Sequence, residues 1–151
     1  MILRRYKSSD CNAIISLLRE TVHTVNRKDY TRDQCDAWAP AEIDVGPWDA
    51  LLSSHLTLVA VEGETIVGFA DMDETGYLDH LYVRAGFLRR GIATALCDAL
   101  ESTIPRKLYT THASITSRPF FEARGYTVVK EQQVRRHGVL LTNYVMQKRA
   151  P

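Results

Sequence analysis

The sequence predicts an α/β fold of the α+β type, with helices flanking a mixed but mostly antiparallel sheet. Three observations carry this reading. Early in the chain apolar residues recur at helical spacing, at Ile14, Leu18, Val22 and Val25. From Leu56 the period changes to two over three successive segments, the first pair joined by the turn Glu62-Gly63-Glu64. After these, only two helical stretches separate the strands, too few for a doubly wound parallel sheet.

The elements follow in order. Ile2-Leu3-Arg4-Arg5-Tyr6 suits an edge strand, and Ser9 or Asp10 caps the first helix. Thr31 with Gln34 is a capping-box pattern opening a short helix through Cys35 and Trp38, which Pro40 ends. Gly46-Pro47 opens a third helix, with Pro47 at its first position, through Trp48, Leu51 and Leu52. Residues 56–61 and 65–70 form a hairpin, and a third strand covers 77–83. A basic, glycine-containing loop then leads into a helix carrying Ile92, Leu96 and Leu100. Residues 108–111 read as a buried strand, and a short helix over 117–124 ends at Gly125, a suitable left-handed cap. Strands 126–134 and 139–146 fold about His137-Gly138. No repeat, low-complexity tract or linker divides the chain, so residues 1–151 read as one domain.

Composition excludes several classes. A chain of 151 residues buries roughly 68–70% of its unfolded surface, enough for its own core. With 45% apolar and 25% charged residues it is neither disordered, collagenous nor a coiled coil. A net charge of +1 gives no global electrostatic reason to expect nucleic acid or an anionic membrane as partner. No apolar run approaches the roughly 20 residues of a membrane helix. The first ten residues turn polar too early for a secretory signal, so a cytoplasmic location is expected. Cys11, Cys35 and Cys97 show no C-x-x-C spacing and no local histidine, so reduced thiols and no metal site are expected.

The most informative segment runs from Leu81 through Arg84, Leu88, Arg89, Arg90 and Gly91 to Leu96. A strand ends, a short basic loop turns, and a helix starts among small residues. Unpaired N–H groups at a helix start, with the helix dipole, favour an anion there. Gly91 and Ala93 leave room for a phosphate against the backbone, and Arg89 and Arg90 add charge. A solvated basic turn closed by a glycine accounts for the same residues equally well. The loop is neither a P-loop nor a Gly-x-Gly-x-x-Gly fingerprint.

Leu88-Arg89-Arg90-Gly91-Ile92-Ala93 resembles the Gln/Arg-x-x-Gly-x-Gly/Ala pyrophosphate loop of the GNAT N-acetyltransferase superfamily. The segment from Ala113 to Tyr126 resembles a second motif of that family, with Ser114, Ser117, Phe120 and Gly125 at matching places. His23, Tyr30, Gln34, the run Ala37-Trp38-Ala39-Pro40 and Trp48 are similar to its bacterial YafP-type branch. The resemblance covers nearly the whole chain. It implies the GNAT acyl-CoA fold, with acetyl-CoA as acyl donor and no metal. The implied cofactor contacts are Leu81, Tyr82, Val83, Leu88, Arg89, Arg90, Gly91, Ile92, Ala93, Thr94, Ser114, Ser117, Phe120 and Phe121. It also implies acetyl transfer to a primary amine of a small acceptor by direct attack. The rivals are O-acyl transfer, a longer acyl chain, and a non-catalytic acyl-CoA-binding module. Two residues depart from the family. Leu88 replaces a Gln or Arg, and Phe121 replaces the Tyr that protonates the departing thiolate in many members.

An attacking ammonium must lose a proton, so a base or water relay is needed. Asp79 and His80 lie on the strand leading to the cofactor loop, and simple alternation sends them to opposite faces. His80 is the favoured base, because histidine titrates near neutrality without help. Asp79 is the alternative. Tyr144, with Tyr82, is a phenol that would replace the missing acid. Tyr30, Trp38 and Trp48 suit an aromatic acceptor pocket and suit an inter-helix core as well. Arg135-Arg136-His137 reads as a solvated hairpin tip. A monomer or homodimer is expected, with a small-molecule amine as its partner.

Overall fold

The computed structural model describes residues 1–151. Seven strands build one sheet in the order β1-β2-β3-β4-β5-β7-β6. They are β1 (Ile2–Arg5), β2 (Leu56–Glu62), β3 (Thr65–Met72), β4 (Tyr77–Val83), β5 (Leu108–Ser114), β6 (Thr127–Arg136) and β7 (Val139–Arg149). Every neighbouring pair is antiparallel except β4 and β5. Helices α1 (Cys11–Thr24), α2 (Arg32–Trp38) and α3 (Val45–Ser54) precede β2, α4 (Ile92–Thr103) joins β4 to β5, and α5 (Arg118–Ala123) follows β5.

Strand alternation sends the apolar residues of β2 and β3 to two cores. Leu58, Ala60, Ala70 and Met72 pack with Leu96 and Leu100 of α4. Val59 and Phe69 pack with Ile14, Leu17, Leu18 and Val22 of α1. Those four α1 side chains are at most 2% exposed, and full burial of each contributes about 1.5–3 kcal/mol.

Helix starts show where local signals held and where they did not. The capping box at Thr31 forms, with Gln34 N–H donating to Thr31 Oγ1 at 3.2 Å and Thr31 N–H to Gln34 Oε1 at 2.9 Å. Asp10 precedes α1, but its carboxylate accepts from Arg4 at 2.8 and 2.9 Å and from Lys7 N–H at 2.8 Å, so it caps the preceding turn and not α1. The third helix starts earlier than expected. Asp44 caps it by accepting from Gly46 N–H at 3.2 Å, so Pro47 sits third in the helix rather than first. Its missing N–H costs little there, since the first turn has no helical acceptors for such groups.

Two irregularities in the sheet make the site. The parallel pairing of β4 with β5 covers only Tyr77↔Thr110 and Leu78↔Thr111. Beyond it the strands part. Between β3 and β4 the register runs Met72↔Leu78 and then Asp71↔His80, leaving Asp79 without a partner. Asp79 is thus the extra residue of a β-bulge, which breaks the alternation of side chains.

Candidate active site

The parting of β4 from β5 opens a cleft at the centre of the sheet. A cavity of about 440 Å³ fills it, bounded by residues 78–83 of β4, Thr111, His112 and Ser114 of β5, and the start of α4. In the β3–β4 ladder Arg84 N–H bonds the Val67 carbonyl at 2.8 Å. The alternation of an antiparallel ladder then turns the N–H groups of Leu81 and Val83 the other way, towards the edge that β5 has left.

The start of α4 closes one end of the cavity. Its first backbone bond is from Ala95 N–H to the Gly91 carbonyl at 2.9 Å, so Ile92, Ala93 and Thr94 have N–H groups without helical acceptors. Gly91 is left-handed (φ 78°), as is Arg89 (φ 62°). For arginine that conformation is strained by about 1 kcal/mol or more, a cost of the kind that clusters at functional loops. Apart from Gly91 and its two chain neighbours, no protein atom lies within 4 Å of where a Cβ on Gly91 would stand. An open, N–H-lined helix start of this kind fits a pyrophosphate.

At the other end the bulge gathers titratable groups. Asp71, fully buried on β3, accepts from His80 Nδ1 at 2.9 Å and from His55 Nδ1 at 2.8 Å. A carboxylate only accepts, so both imidazoles carry their proton on Nδ1 there and His80 keeps its basic lone pair on Nε2. That nitrogen lies 3.8 Å from Asp79 Oδ1. Burial works against an ionised Asp71, but the two imidazoles hold its pKa below the usual carboxylate range. Burial would also lower the pKa of His80. The hydrogen bond to Asp71, with the charges of Asp71 and Asp79, outweighs it and raises the group above free histidine. Asp79 is raised by its own burial.

A second cavity, of about 210 Å³, lies on the α1–α3 side, walled by Tyr30, Trp38, Trp48 and Tyr77. Trp38, Asp79, His80, Tyr82, His112 and Ser114 line both cavities, so the two meet at the bulge. The Trp48 ring lies 4.8 Å from that of His80, and Trp38 Nε1 donates to Tyr82 Oη at 3.2 Å. Tyr30 is more tightly held than an adaptable wall requires. Its hydroxyl donates to the Thr142 carbonyl at 2.6 Å and accepts from Ile115 N–H at 2.9 Å.

The structure brings most of the sequence-derived residues together. Leu81, Tyr82, Val83, Leu88, Arg89, Gly91, Ile92, Ala93, Thr94, Ser114, Ser117, Phe120 and Phe121 all line the larger cavity. Arg90 does not, because its guanidinium lies over the Phe87 ring at 4.9 Å. Asp79 and His80 do not oppose each other across the strand. The bulge puts both on the cleft, which corrects the alternation argument. Tyr144 lines neither cavity. Its neighbour Asn143 takes the position facing the smaller one, so Tyr144 turns to the other face, under Arg118 at 4.5 Å. Arg135, Arg136 and His137 are exposed, as a solvated hairpin tip requires, and Arg136 also lines the smaller cavity. Sequence reasoning missed Asp71 and His55. The one signal was a lone carboxylate inside the otherwise apolar end of β3.

A family model for the acetyltransferase (GNAT) domain matches residues 26–148. The chain belongs to the GNAT acetyltransferase family. It is 33% identical to the uncharacterized N-acetyltransferase YafP of Escherichia coli K12 over 144 residues, covering 95% of this chain and 93% of YafP. A GCN5-related N-acetyltransferase from Rhodopseudomonas palustris superposes with a TM-score of 0.94 at 32% identity, over 99% of this chain and 95% of that one. The PaiA N-acetyltransferase of Thermoplasma acidophilum, solved with coenzyme A, shares the fold with a TM-score of 0.80 at 15% identity. Coverage there is 99% of this chain and 98% of the other. The GNAT fold accounts for the mixed seven-stranded sheet, and acetyl-CoA is the family's acyl donor. No helix is long and apolar enough to cross a membrane.

Proposed function

We propose that this acetyltransferase moves the acetyl group of acetyl-CoA to a primary amine by direct attack, with His80 as general base. The observation that carries the proposal is the meeting of two cavities at His80 and Asp79, beside the N–H-bearing edge of β4. Acetyl-CoA supplies an activated thioester in the larger cavity. The pyrophosphate rests on the N–H groups at the start of α4, over Gly91. The pantetheine arm follows the edge of β4 at Leu81 and Val83, with Ser114, Ser117, Phe120 and Phe121 opposite.

The acceptor enters the smaller cavity between Trp38 and Trp48. His80 Nε2 takes a proton from the ammonium, directly or through one water, while Asp71 holds the ring through Nδ1. Asp71 is therefore a positioning residue. Val83 N–H stabilises the negative charge that develops on the carbonyl oxygen. Phe121 donates no proton to the leaving group; the second nitrogen proton, lost as the tetrahedral adduct collapses, passes to solvent or to the departing thiolate. A thiol with a pKa of roughly 8.5 leaves readily as its anion.

The test is thiol release from acetyl-CoA with a panel of primary amines, alcohols and longer acyl donors, with product mass read in parallel. An N-acetylated amine as the main product supports the proposal. Acetyl esters as the main product, or acetyl-CoA binding with no transfer to any acceptor, would overturn it.

A further inference from the structure

The smaller cavity holds two polar groups that proton transfer at His80 leaves unused. Asn143 Oδ1 is buried with no hydrogen-bond partner. Arg136 pairs with no carboxylate, and its one side-chain hydrogen bond is a long 3.3 Å contact to the Arg135 carbonyl. The β6–β7 ladder puts both on the same face. Its register is Gln132↔Asn143, Val134↔Leu141 and Arg136↔Val139, and residues two apart along a strand point the same way. Val134 and Leu141 lie between them as an apolar floor, and all four line the cavity. The tip stays over this cavity because His137 Nδ1 bonds the Ala37 carbonyl at 2.8 Å and Gln34 Nε2 the Leu140 carbonyl at 3.0 Å.

The cavity is therefore polarised. Asp79 and the unpaired Asn143 oxygen offer acceptors to N–H donors at the reacting end, whereas the exposed Arg136 offers a cation paired with no carboxylate elsewhere on the wall. A bound amine N–H supplies the donor that this buried acceptor lacks. An unpaired guanidinium attracts a carboxylate or phosphate with two parallel hydrogen bonds and repels a second ammonium.

We infer that the acceptor is an amine that also carries an anionic group, its amine facing Asp79, His80 and Asn143 Oδ1 and its anion on Arg136. This rests on the amine-acetylation reading above. It sets aside simple alkylamines and polyamines, which offer Arg136 nothing or a like charge. Carboxylate and phosphate share the recognising chemistry, and the choice of amines separates them.

The experiment measures acetylation of phenethylamine, phenylalanine, O-phosphoethanolamine and putrescine by the wild type and by Arg136→Glu. Acetyl-CoA affinity, measured by calorimetry on both proteins, reports that the variant is folded. The expected result is a kcat/KM at least about tenfold higher for phenylalanine or O-phosphoethanolamine than for phenethylamine. Whichever of the two is preferred identifies the anion. Arg136→Glu abolishes that preference through KM and favours putrescine. Equal use of anionic and neutral amines, or a preference that survives Arg136→Glu, would overturn the inference and leave amine acetylation standing. Intact acetyl-CoA binding with no amine acetylated would overturn the acetylation reading and this inference together.

Discussion

Asp71 stands opposite His80 in the β3–β4 ladder, and its buried carboxylate holds the His80 ring through Nδ1 at 2.9 Å. One bond thereby fixes three things: which nitrogen carries the proton, which way the ring faces, and how basic Nε2 is. The second oxygen of the same carboxylate holds His55. Asp71 thus couples the proposed base to the end of α3.

Asp71→Asn tests the first half of this coupling. His80 acts as a base only when neutral, so kcat/KM falls as pH drops through its raised pKa. Without the carboxylate the acidic limb moves to lower pH, towards free histidine. The plateau rate also drops, by roughly tenfold or more, because the ring is no longer held in one tautomer. A pH profile with an unmoved limb would show that Asp71 serves only the fold.

His55→Ala tests the second half. It leaves one oxygen of a buried carboxylate without a donor, and the expected loss is about 1–3 kcal/mol in urea unfolding. The pH dependence has a definite sign. The pKa of His55 is raised in the folded state, by the Asp71 hydrogen bond against burial, so its contribution is complete below the unfolded value and vanishes as pH rises through the folded one. Wild-type stability therefore declines from weakly acid to alkaline pH across these histidines, and His55→Ala flattens that decline. A variant with unchanged midpoint and slope would contradict the account.

Gly91→Asp removes acetyl-CoA binding in calorimetry. The carboxylate would stand in the open space over the α4 start, where the proposed phosphate sits, and would repel it. Gly91→Asn separates charge from backbone strain, because asparagine tolerates the left-handed conformation found there. It keeps the fold and loses less affinity than the aspartate. Unchanged affinity in Gly91→Asp would place the phosphates elsewhere.

Phe121→Tyr leaves activity unchanged or raises it. The ring lines the larger cavity, is only 2% exposed, and meets Phe120 and Tyr126 edge-on at 5.2 and 5.1 Å. The new hydroxyl adds a proton donor and removes no contact. A large fall in kcat with acetyl-CoA affinity intact would show that the apolar packing of this ring outweighs proton supply.

Most of the fold was legible because each element satisfies its own local rule. The apolar stripe of α1, the capping box at Thr31 and the turn at Gly63 sit where spacing and turn chemistry put them. The walls of the larger cavity were legible for the same reason, since strand, loop and helix start are contiguous in the chain. What escaped needed pairing information. Alternation cannot reveal an extra residue at Asp79, so His80 and Asp79 read as opposed when the bulge brings them together. Asp71 and His55 are 16 positions apart, and only the sheet joins them. Tyr144 and Asn143 differ by one step of strand parity, which register alone decides. Arg136 is solvated as expected, and only the folding of the hairpin over α2 puts it on the wall of the smaller cavity as well.

The most direct test of His80 as the base is the pH profile of kcat/KM for His80→Gln beside the wild type. Acetyl-CoA affinity is measured on both proteins, to show that the donor site is intact. With His80 as the base, kcat/KM falls roughly a hundredfold or more and the acidic limb disappears. A His80→Gln enzyme that keeps both a near-normal rate and the wild-type acidic limb would contradict it, and the proton would then pass through Asp79 or a water chain.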